Sequence, residues 1–299
     1  MSALPLRNLI IGASGQLGTQ IVAALTLARS IRAGRTGRHD YLTIDQSTLD
    51  ERDADSLLER TQADAVYCAG GMTNVERCES EPDLAMRTNC TGPAALALAA
   101  ARRAVPFVYF STEYVFDGES GPYTEDAAAH PISVYGRSKW MGEMEVARAH
   151  PGALTVRTTV VYGPDAGGKN FLYSLRRAWL ARTQIRVPSD QVSTPTYNRD
   201  LARVVIALAE RGAGGVFHVC GPELLSRVEF AAAAARHLGW EGVRLVAIPT
   251  RDLGQVAPRP LRAGLLTEKL ARLHPDLRMR PLAECCADWL ARGGFTEEG

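Results

Sequence analysis

The sequence predicts an α/β fold in which a doubly wound parallel sheet is followed by a smaller C-terminal lobe. In the first half of the 299 residues, short apolar runs alternate with stretches of helical apolar spacing, the order that places helices on both faces of a parallel sheet. A glycine-rich turn follows the first apolar run, and beyond Pro151 the alternation gives way to scattered elements. We therefore expect a larger unit over residues 1–162, with part of 192–218 packing back onto it, and a smaller unit over 163–299.

The composition argues against several classes of partner. Lys and Arg total 34 against 33 Asp and Glu, a net charge of +1, so nothing indicates a nucleic-acid surface or an anionic membrane surface. No apolar run reaches the length of a membrane span, and the N-terminus lacks a signal-peptide pattern, so we expect a cytoplasmic protein. The six cysteines have neither metal-ligand spacing nor the density of a disulfide framework. We expect them to be reduced core residues, and we expect no metal centre.

The first predicted element is the strand Asn8–Ile11, which ends at the turn Gly-Ala-Ser-Gly-Gln-Leu-Gly over residues 12–18. Residues 19–25 then have helical apolar spacing. The three glycines permit a tight turn, a close approach of backbone amides to a pyrophosphate, and close packing of helix on strand, while the helix N-terminus adds partial positive charge. The pattern predicts a dinucleotide site of the Rossmann type. The expected contacts are Gly12, Ser14, Gly15, Gln16 and Leu17.

A basic, glycine-containing stretch over residues 29–39 precedes the next strand, Tyr41–Ile44. It is either a solvated loop or a loop from which Arg35 or Arg38 reaches the 2′-phosphate of an NADP-type cofactor. Asp45, at the strand end, argues the other way, because a carboxylate there accepts from a free ribose hydroxyl and repels a phosphate. The choice stays open between NADP(H) and NAD(H), and we favour NADP(H).

The following elements continue the alternation. Residues 65–71 predict a buried strand ending in Ala69 and Gly70, small residues that let the chain pass beneath a flat ligand, so we expect both to contact the cofactor. The other expected elements are helices over 49–58, 81–89 and 94–104 and a strand over 107–110.

Three polar side chains are the candidate catalytic residues. Thr112 follows the strand 107–110 at the edge where ligands bind to such sheets, so its hydroxyl can polarise a substrate carbonyl. Tyr135 and Lys139 are four residues apart in Tyr-Gly-Arg-Ser-Lys and share one face of a helix. A lysine ammonium favours the phenolate, so we expect Tyr135 to donate a proton to a carbonyl near neutral pH.

Beyond Pro151, a last sheet strand over 154–162 is expected to lead into a loop over 163–170 at the same sheet edge. Further expected elements are a helix over 171–181, a polar loop over 190–197, a helix from Asp200, a strand over 216–219 and a helix near Ala231. They indicate a lobe that closes over the cleft and grips an anionic substrate with polar side chains. The candidates for that grip are Lys169, Asn170, Gln191, Thr196 and Arg259.

With these stretches placed, the chain resembles the extended short-chain dehydrogenase/reductase superfamily, and within it the dTDP-4-dehydrorhamnose reductase branch. The marks are the glycine turn, Glu79–Pro82, Ser-Thr-Glu-Tyr-Val-Phe-Asp-Gly over 111–118, Tyr-Gly-Arg-Ser-Lys with Gly142–Glu143, Pro195–Tyr197 and Arg259–Pro260. The resemblance implies a catalytic triad of Thr112, Tyr135 and Lys139, and a reductase of a nucleotide-linked 4-keto-6-deoxysugar. It implies cofactor contacts from Gly12, Gly15, Gly18, Asp45 and Lys139, and substrate contacts from Thr112, Glu113 and Tyr114.

Three departures from the branch concern substrate fit. Glu113 stands where the branch usually has Asp, Val160 where it tends to have Trp, and Arg262–Gly264 where it has a polar segment. Two other functions stay open: an epimerase or dehydratase of the same superfamily that retains its cofactor, and a non-catalytic subunit resembling the regulatory subunit of methionine adenosyltransferase. A homodimer is expected by analogy with the fold class alone.

Overall fold

The computed structural model describes residues 7–25, 29–34 and 41–294. Its strands are β1 (Arg7–Ile11), β2 (Arg29–Gly34), β3 (Tyr41–Thr43), β4 (Ala65–Cys68), β5 (Phe107–Thr112), β6 (Leu154–Thr158), β7 (Val161–Tyr162), β8 (Gln184–Pro188), β9 (Val192–Ser193), β10 (Thr196–Tyr197), β11 (Gly215–His218), β12 (Leu225–Ser226) and β13 (Arg244–Ile248). Seven of them form one sheet in the order β11-β6-β5-β4-β1-β2-β3, and every pairing in it is parallel. The predicted α/β fold with a parallel sheet of the Rossmann type is confirmed.

Helices connect these strands. They are α1 (Gln16–Ala24), α2 (Glu51–Thr61), α3 (Val75–Ser80), α4 (Pro82–Met86), α5 (Gly92–Ala101), α6 (Val134–Ala149), α7 (Phe171–Leu180), α8 (Asn198–Glu210), α9 (Arg227–His237), α10 (Glu268–Leu273) and α11 (Leu282–Ala291). The expected helix over 81–89 has different bounds, because α4 ends at Met86 and a π-helical turn over Arg87–Thr91 continues into α5. No described helix combines the length and apolarity needed to cross a membrane.

The basic stretch before β3 contains a strand that the sequence analysis did not predict. Residues 29–34 form β2, which pairs with β1 on one side and β3 on the other. Backbone groups form these ladders whatever the side chains are, so a sheet can impose a strand on a basic segment that its composition does not predict. Interpreting the whole of 29–39 as a loop was therefore wrong. Arg35 and Arg38 lie outside the described residues.

The expected strand over 154–162 is interrupted in the structure. β6 ends at Thr158, and Val160 has a φ of +41°, a strained value for a β-branched residue. Two hydrogen bonds hold the turn: Thr196 N donates to Val160 O at 3.2 Å, and Gln16 Nε2 donates to Val161 O at 3.0 Å. The chain therefore leaves the sheet at Val160, and β7 pairs with β10 instead. β6 is also not the last strand, because β11 pairs along its outer edge.

The three largest apolar clusters of the described core are two layers on the sheet and a third in the C-terminal half. Successive strand residues face opposite layers, so Ile10 packs with α1 and α8 whereas Leu9 and Ile11 pack with α2 and α5. The third layer surrounds Tyr162, Phe230 and Trp289. All six cysteines are buried and unpaired, which confirms their prediction as core residues.

Candidate active site

The glycine turn brings two backbone segments into close contact. Gly12 has a φ of +76°, and its carbonyl accepts a hydrogen bond from Gly15 N at 2.9 Å. A Cβ on Gly12 would lie 2.5 Å from Gly70 N, and a Cβ on Gly18 would lie 2.2 Å from Gly12 O. Ser14 and Gly15 are exposed in front of α1, so an anion can approach the first backbone amides of the helix. The turn therefore has the shape that a pyrophosphate requires.

Two side chains of this turn, those of Gln16 and Leu17, contact other parts of the protein. Gln16 Nε2 is committed to Val161 O, at 3.0 Å, and Leu17 packs against the core layer below α1. If these two residues contact a cofactor, we therefore expect them to do so chiefly through their backbone.

A second stretch of the cofactor edge follows β4. Ala69 and Gly70 are half-buried there, and Gly70 faces Gln46, whose Nε2 donates to Gly70 O at 3.2 Å and to Thr88 O at 2.5 Å. The sequence analysis did not identify Gln46, which has no motif around it. Asp45 Oδ1 accepts hydrogen bonds from Ser47 N at 3.0 Å and Ser47 Oγ at 2.7 Å, which orients the carboxylate.

Gly12→Ala is expected to lower the free energy of unfolding by about 2–5 kcal/mol, because it adds overpacking against Gly70 to the strain of a positive φ. Gly239 is a matched control, since its φ is +73° and nothing lies within 4 Å of its Cβ position. Gly239→Ala should cost only about 1 kcal/mol. Urea unfolding of both variants measures the difference. Equal losses would show that the contact between Gly12 and Gly70 is unimportant.

Thr112, Tyr135 and Lys139 come together at the carboxyl edge of the sheet. Thr112 is the last residue of β5, inside the strand rather than after it, and the other two lie in the first turns of α6. All three are buried, with 6%, 8% and 5% of their surface exposed. The hydroxyl of Thr112 interacts with the phenol of Tyr135.

The start of α6 is fixed from two directions. Its N-cap, Ser133, accepts a hydrogen bond from Gly136 N at 3.1 Å, and Glu79 accepts one from Val134 N at 2.7 Å. Gly136 allows a close approach, because a Cβ there would lie 2.1 Å from Tyr114 O. The helix that carries Tyr135 and Lys139 is thereby pressed against the loop that follows Thr112.

Burial is the main influence on the pKa values of Tyr135 and Lys139. The pKa of Tyr135 is raised, chiefly by burial, and the interaction with Thr112 acts in the opposite direction. In the protein alone, burial therefore moves the pKa of Tyr135 in the direction opposite to the lowering that Lys139 was expected to cause. Burial also lowers the pKa of Lys139 to about 8, and its Nζ lies 4.1 Å from the centroid of the Tyr109 ring.

The residues after Thr112 belong to a buried group of polar and charged side chains, which we call the charged wall. Glu113 is buried, and within the described residues its Oε2 has no hydrogen-bond partner. Burial raises the pKa of Glu113 to about 8, while the Thr159 hydroxyl and the Arg227 guanidinium act to lower it. The ring of Tyr114 meets that of Tyr135 edge-on, with 5.3 Å between centroids. Glu113 and Tyr114 thus lie beside the catalytic candidates.

Arg227 is a component of this wall that the sequence analysis missed. It is the first residue of α9, its guanidinium lies 5.4 Å from the Phe171 ring centroid, and it interacts electrostatically with Glu113, Tyr114 and Arg259. Its position in an alanine-rich helix does not mark it as a site residue, because only the folded chain brings it next to Glu113.

Arg259 joins the same wall from the C-terminal half. Its Nη2 donates to Glu76 Oε1 at 2.8 Å, whereas its Nη1 is buried and has no hydrogen-bond partner in the described part of the chain. Its guanidinium lies 6.0 Å from the Tyr114 ring centroid. A cavity of about 380 Å³ opens beside it, with Asp190, Thr250 and Gln255 among its lining residues.

The other predicted substrate residues have local roles in the structure. Asn170 caps α7 by accepting from Leu172 N at 3.2 Å, and its Nδ2 donates to Gly163 O at 2.9 Å. Thr196 is fully buried and donates to Thr194 O at 3.1 Å. Gln191 donates to Thr250 Oγ1 at 3.1 Å, at the margin of the cavity beside Arg259. Lys169 donates through its backbone to Asp165 at 2.8 Å. Contacts through the Tyr114 ring connect Arg259 to the catalytic candidates.

Comparison with known proteins gives a consistent family. The model of the RmlD substrate binding domain matches residues 6–289. The dTDP-4-dehydrorhamnose reductase of Mycobacterium tuberculosis (strain ATCC 25618 / H37Rv) is 35% identical over 279 residues, 90% of this chain and 88% of the relative. The dTDP-4-keto-6-deoxy-D-glucose reductase of Streptomyces niveus is 32% identical over 257 residues, 85% of this chain and 86% of the relative.

A solved structure agrees with these relatives. The dTDP-4-dehydrorhamnose reductase of Bacillus anthracis, in complex with NADP, superimposes with a TM-score of 0.88 at 27% identity and covers 97% of this chain and 100% of its own. The resemblance seen in the sequence motifs is confirmed. The chain belongs to the RmlD substrate binding domain family, the dTDP-4-dehydrorhamnose reductase-like branch of the extended short-chain dehydrogenases/reductases.

Proposed function

We propose that this protein is an NAD(P)H-dependent reductase that converts the keto group of a nucleotide-linked 4-keto-6-deoxysugar into a hydroxyl. One observation carries the proposal: a buried hydroxyl and a buried phenol, those of Thr112 and Tyr135, interact at the same carboxyl edge of the sheet as the glycine turn. Relatives that share a third of the residues are named as reductases of dTDP-linked keto sugars.

The chain fits a nicotinamide dinucleotide. The close approach of Gly12 and Gly70 leaves no room for side chains, and the exposed residues Ser14 and Gly15 lead directly to the first backbone amides of α1. These amides would hold the pyrophosphate, Asp45 a ribose, and Lys139 the ribose of the nicotinamide. When bound in its reduced form, the cofactor supplies a hydride to the keto carbon.

The protein's own groups supply and stabilise the proton. Because burial raises the pKa of Tyr135, its hydroxyl stays protonated at neutral pH and is available to donate to the keto oxygen as that oxygen becomes an alkoxide. The hydroxyl of Thr112 donates a second hydrogen bond to the same oxygen. The ammonium of Lys139, one helical turn away, stabilises the phenolate that remains.

The charged wall would bind the rest of the substrate. Arg227 and Arg259 are two guanidinium groups near Tyr114, and cations of this shape suit the oxygens of a diphosphate. Glu113, with a pKa of about 8, can donate to or accept from a sugar hydroxyl near neutral pH. The wall thus matches a substrate that is anionic at one end and hydroxylated at the other.

We propose NADPH in preference to NADH. A structural neighbour was solved with NADP, and the basic residues Arg35 and Arg38 follow β2 in sequence. Asp45, which would favour NADH, has one carboxylate oxygen engaged by Ser47.

The test is to follow absorbance at the reduced-nicotinamide band with purified protein, NADPH or NADH, and a panel of nucleotide-linked 4-keto-6-deoxysugars. We expect oxidation with at least one sugar, and a higher kcat/KM with NADPH. Two outcomes would contradict the proposal. Cofactor binding without oxidation would favour the regulatory-subunit alternative, and NAD retained through purification with no net oxidation would favour the epimerase or dehydratase.

We also propose that residues 1–162 serve mainly to bind the dinucleotide and residues 163–299 mainly to bind the substrate. β11 and α8 qualify this division, because β11 extends the sheet beyond β6 and α8 packs on α1. We also propose that the protein is cytoplasmic and that it forms a homodimer.

A further inference from the structure

We propose that Glu76 is a positioning residue that aims Arg259 at the anionic part of the substrate. The inference deepens the proposed function and rests on it for the identity of that anion. No motif in the sequence singles out Glu76, which is the second residue of the short helix α3.

Glu76 holds the segment 255–259 at three points. One carboxylate oxygen, Oε2, accepts from Val256 N at 3.0 Å and Ala257 N at 3.3 Å. The other, Oε1, accepts from Arg259 Nη2 at 2.8 Å. The carboxylate therefore holds both the backbone of the segment and one terminal nitrogen of the guanidinium.

The second terminal nitrogen of Arg259, Nη1, has a different environment. Only 9% of the Arg259 side chain is exposed, and its buried Nη1 lacks a hydrogen-bond partner anywhere in the described residues. Buried guanidinium donors are normally satisfied, so an acceptor is expected to come from a ligand. Nη2 is held by Glu76 and Nε by Gln255 Oε1, at 3.4 Å, and the guanidinium also interacts with the Tyr114 hydroxyl, so Nη1 is the nitrogen with donor capacity left for a ligand.

The position of Arg259 connects it to the reaction. Its guanidinium lies 6.0 Å from the Tyr114 ring, and the Tyr114 ring lies 5.3 Å from that of Tyr135. Arg227, whose guanidinium lies over the Phe171 ring, is a second cation that interacts electrostatically with the same tyrosine. An anion bound between the two guanidinium groups would lie one aromatic ring away from the proton donor. We infer that this anion is the diphosphate of the nucleotide sugar.

Glu76→Gln tests the inference with an isosteric change. The amide keeps one acceptor oxygen but places an NH2 group against a donor, so it cannot hold both the segment and Arg259. We expect the affinity for dTDP, measured by calorimetry, to fall by about tenfold, equivalent to about 1.4 kcal/mol. KM for the nucleotide sugar should rise similarly, while kcat changes by less than about threefold, since a contact shared by ground and transition states affects KM alone.

A double-mutant cycle separates positioning from a merely structural role. If Glu76 acts through Arg259, then Glu76→Gln combined with Arg259→Gln should bind dTDP no more weakly than Arg259→Gln alone. Arg259→Lys is a second test of the pair, because an ammonium cannot hold Glu76 and a ligand with two separate nitrogens. Glu81→Gln is the control: it removes the Arg77–Glu81 pair next to the same helix without touching residues 255–259.

The outcomes are distinct. Additive losses in the double mutant, unchanged dTDP affinity in Glu76→Gln, or an equal effect of Glu81→Gln would overturn the inference. So would a wild-type protein that binds none of dTDP, UDP and GDP. If the wild type binds dTDP but reduces no sugar in the panel, the reductase proposal fails while the role of Glu76 is still decided by the binding cycle.

Discussion

Tyr135→Phe is expected to lower kcat by a factor of roughly 10²–10⁴, the usual contribution of a positioned general acid. The substitution removes only the hydroxyl, so the ring contact with Tyr114, at 5.3 Å between centroids, should persist. The affinity for the nicotinamide cofactor should change little, because the glycine turn is untouched. Steady-state NADPH oxidation measures the first effect, and calorimetric titration with NADP measures the second.

Tyr123→Phe is a matched control for this change. Its hydroxyl donates to Asp117 at 2.5 Å and its ring stacks on Phe116, away from the three catalytic candidates. It should leave kcat within about threefold of the wild type, as expected for a group with no part in proton transfer. If Tyr135→Phe were as active as Tyr123→Phe, another group would have to donate the proton.

Lys139→Met is expected to abolish most turnover and at the same time to stabilise the folded protein. Burial lowers the pKa of Lys139 from 10.5 to about 8, so at neutral pH the folded state carries the cost of a buried charge. That shift corresponds to a destabilisation of the folded state by up to about 3 kcal/mol. A methionine of similar length would not have this cost. The loss of turnover should be about 10²-fold or more, because the phenolate of Tyr135 loses its counter-charge.

The difference in stability between the wild type and Lys139→Met depends on pH. Below pH 8 the lysine is charged in both folded and unfolded chains, so its destabilising contribution is complete. Between about pH 8 and 10.5 the unfolded chain binds more protons than the folded one, and the stability of the wild type rises toward that of the variant. Urea unfolding of both proteins at pH 7 and pH 10 measures the difference. A variant that is less stable at pH 7 would show that the ammonium is structurally needed.

Local spacing predicted the parts of this molecule that are local in sequence. The glycine turn, the helix that carries Tyr135 and Lys139, and the strand before Thr112 follow from patterns a few residues long. β2 could not be predicted in this way, since its partners β1 and β3 select it through backbone pairing. The break at Val160 depends on Thr196 and Gln16, which are distant in sequence.

The substrate side of the site shows the same limit. Asn170 and Thr196 were predicted as substrate contacts from their polarity, and in the structure both side chains also bond to the backbone around them, so polarity alone does not identify a ligand contact. Arg227 and Glu76 were missed because their partners, Glu113 and Arg259, lie 114 and 183 residues away. Only the folded chain reveals such pairs.

The outer position of β11 bears on how the chain is made. During synthesis β6 emerges long before residues 215–218, and until they arrive it presents a row of unpaired amides and carbonyls. The nascent N-terminal half is therefore an open template for other chains, and the sheet is completed only when residue 218 of 299, nearly three-quarters of the protein, has been translated. A fragment ending at residue 162 would keep that template permanently, so the two halves depend on each other for solubility as well as for catalysis.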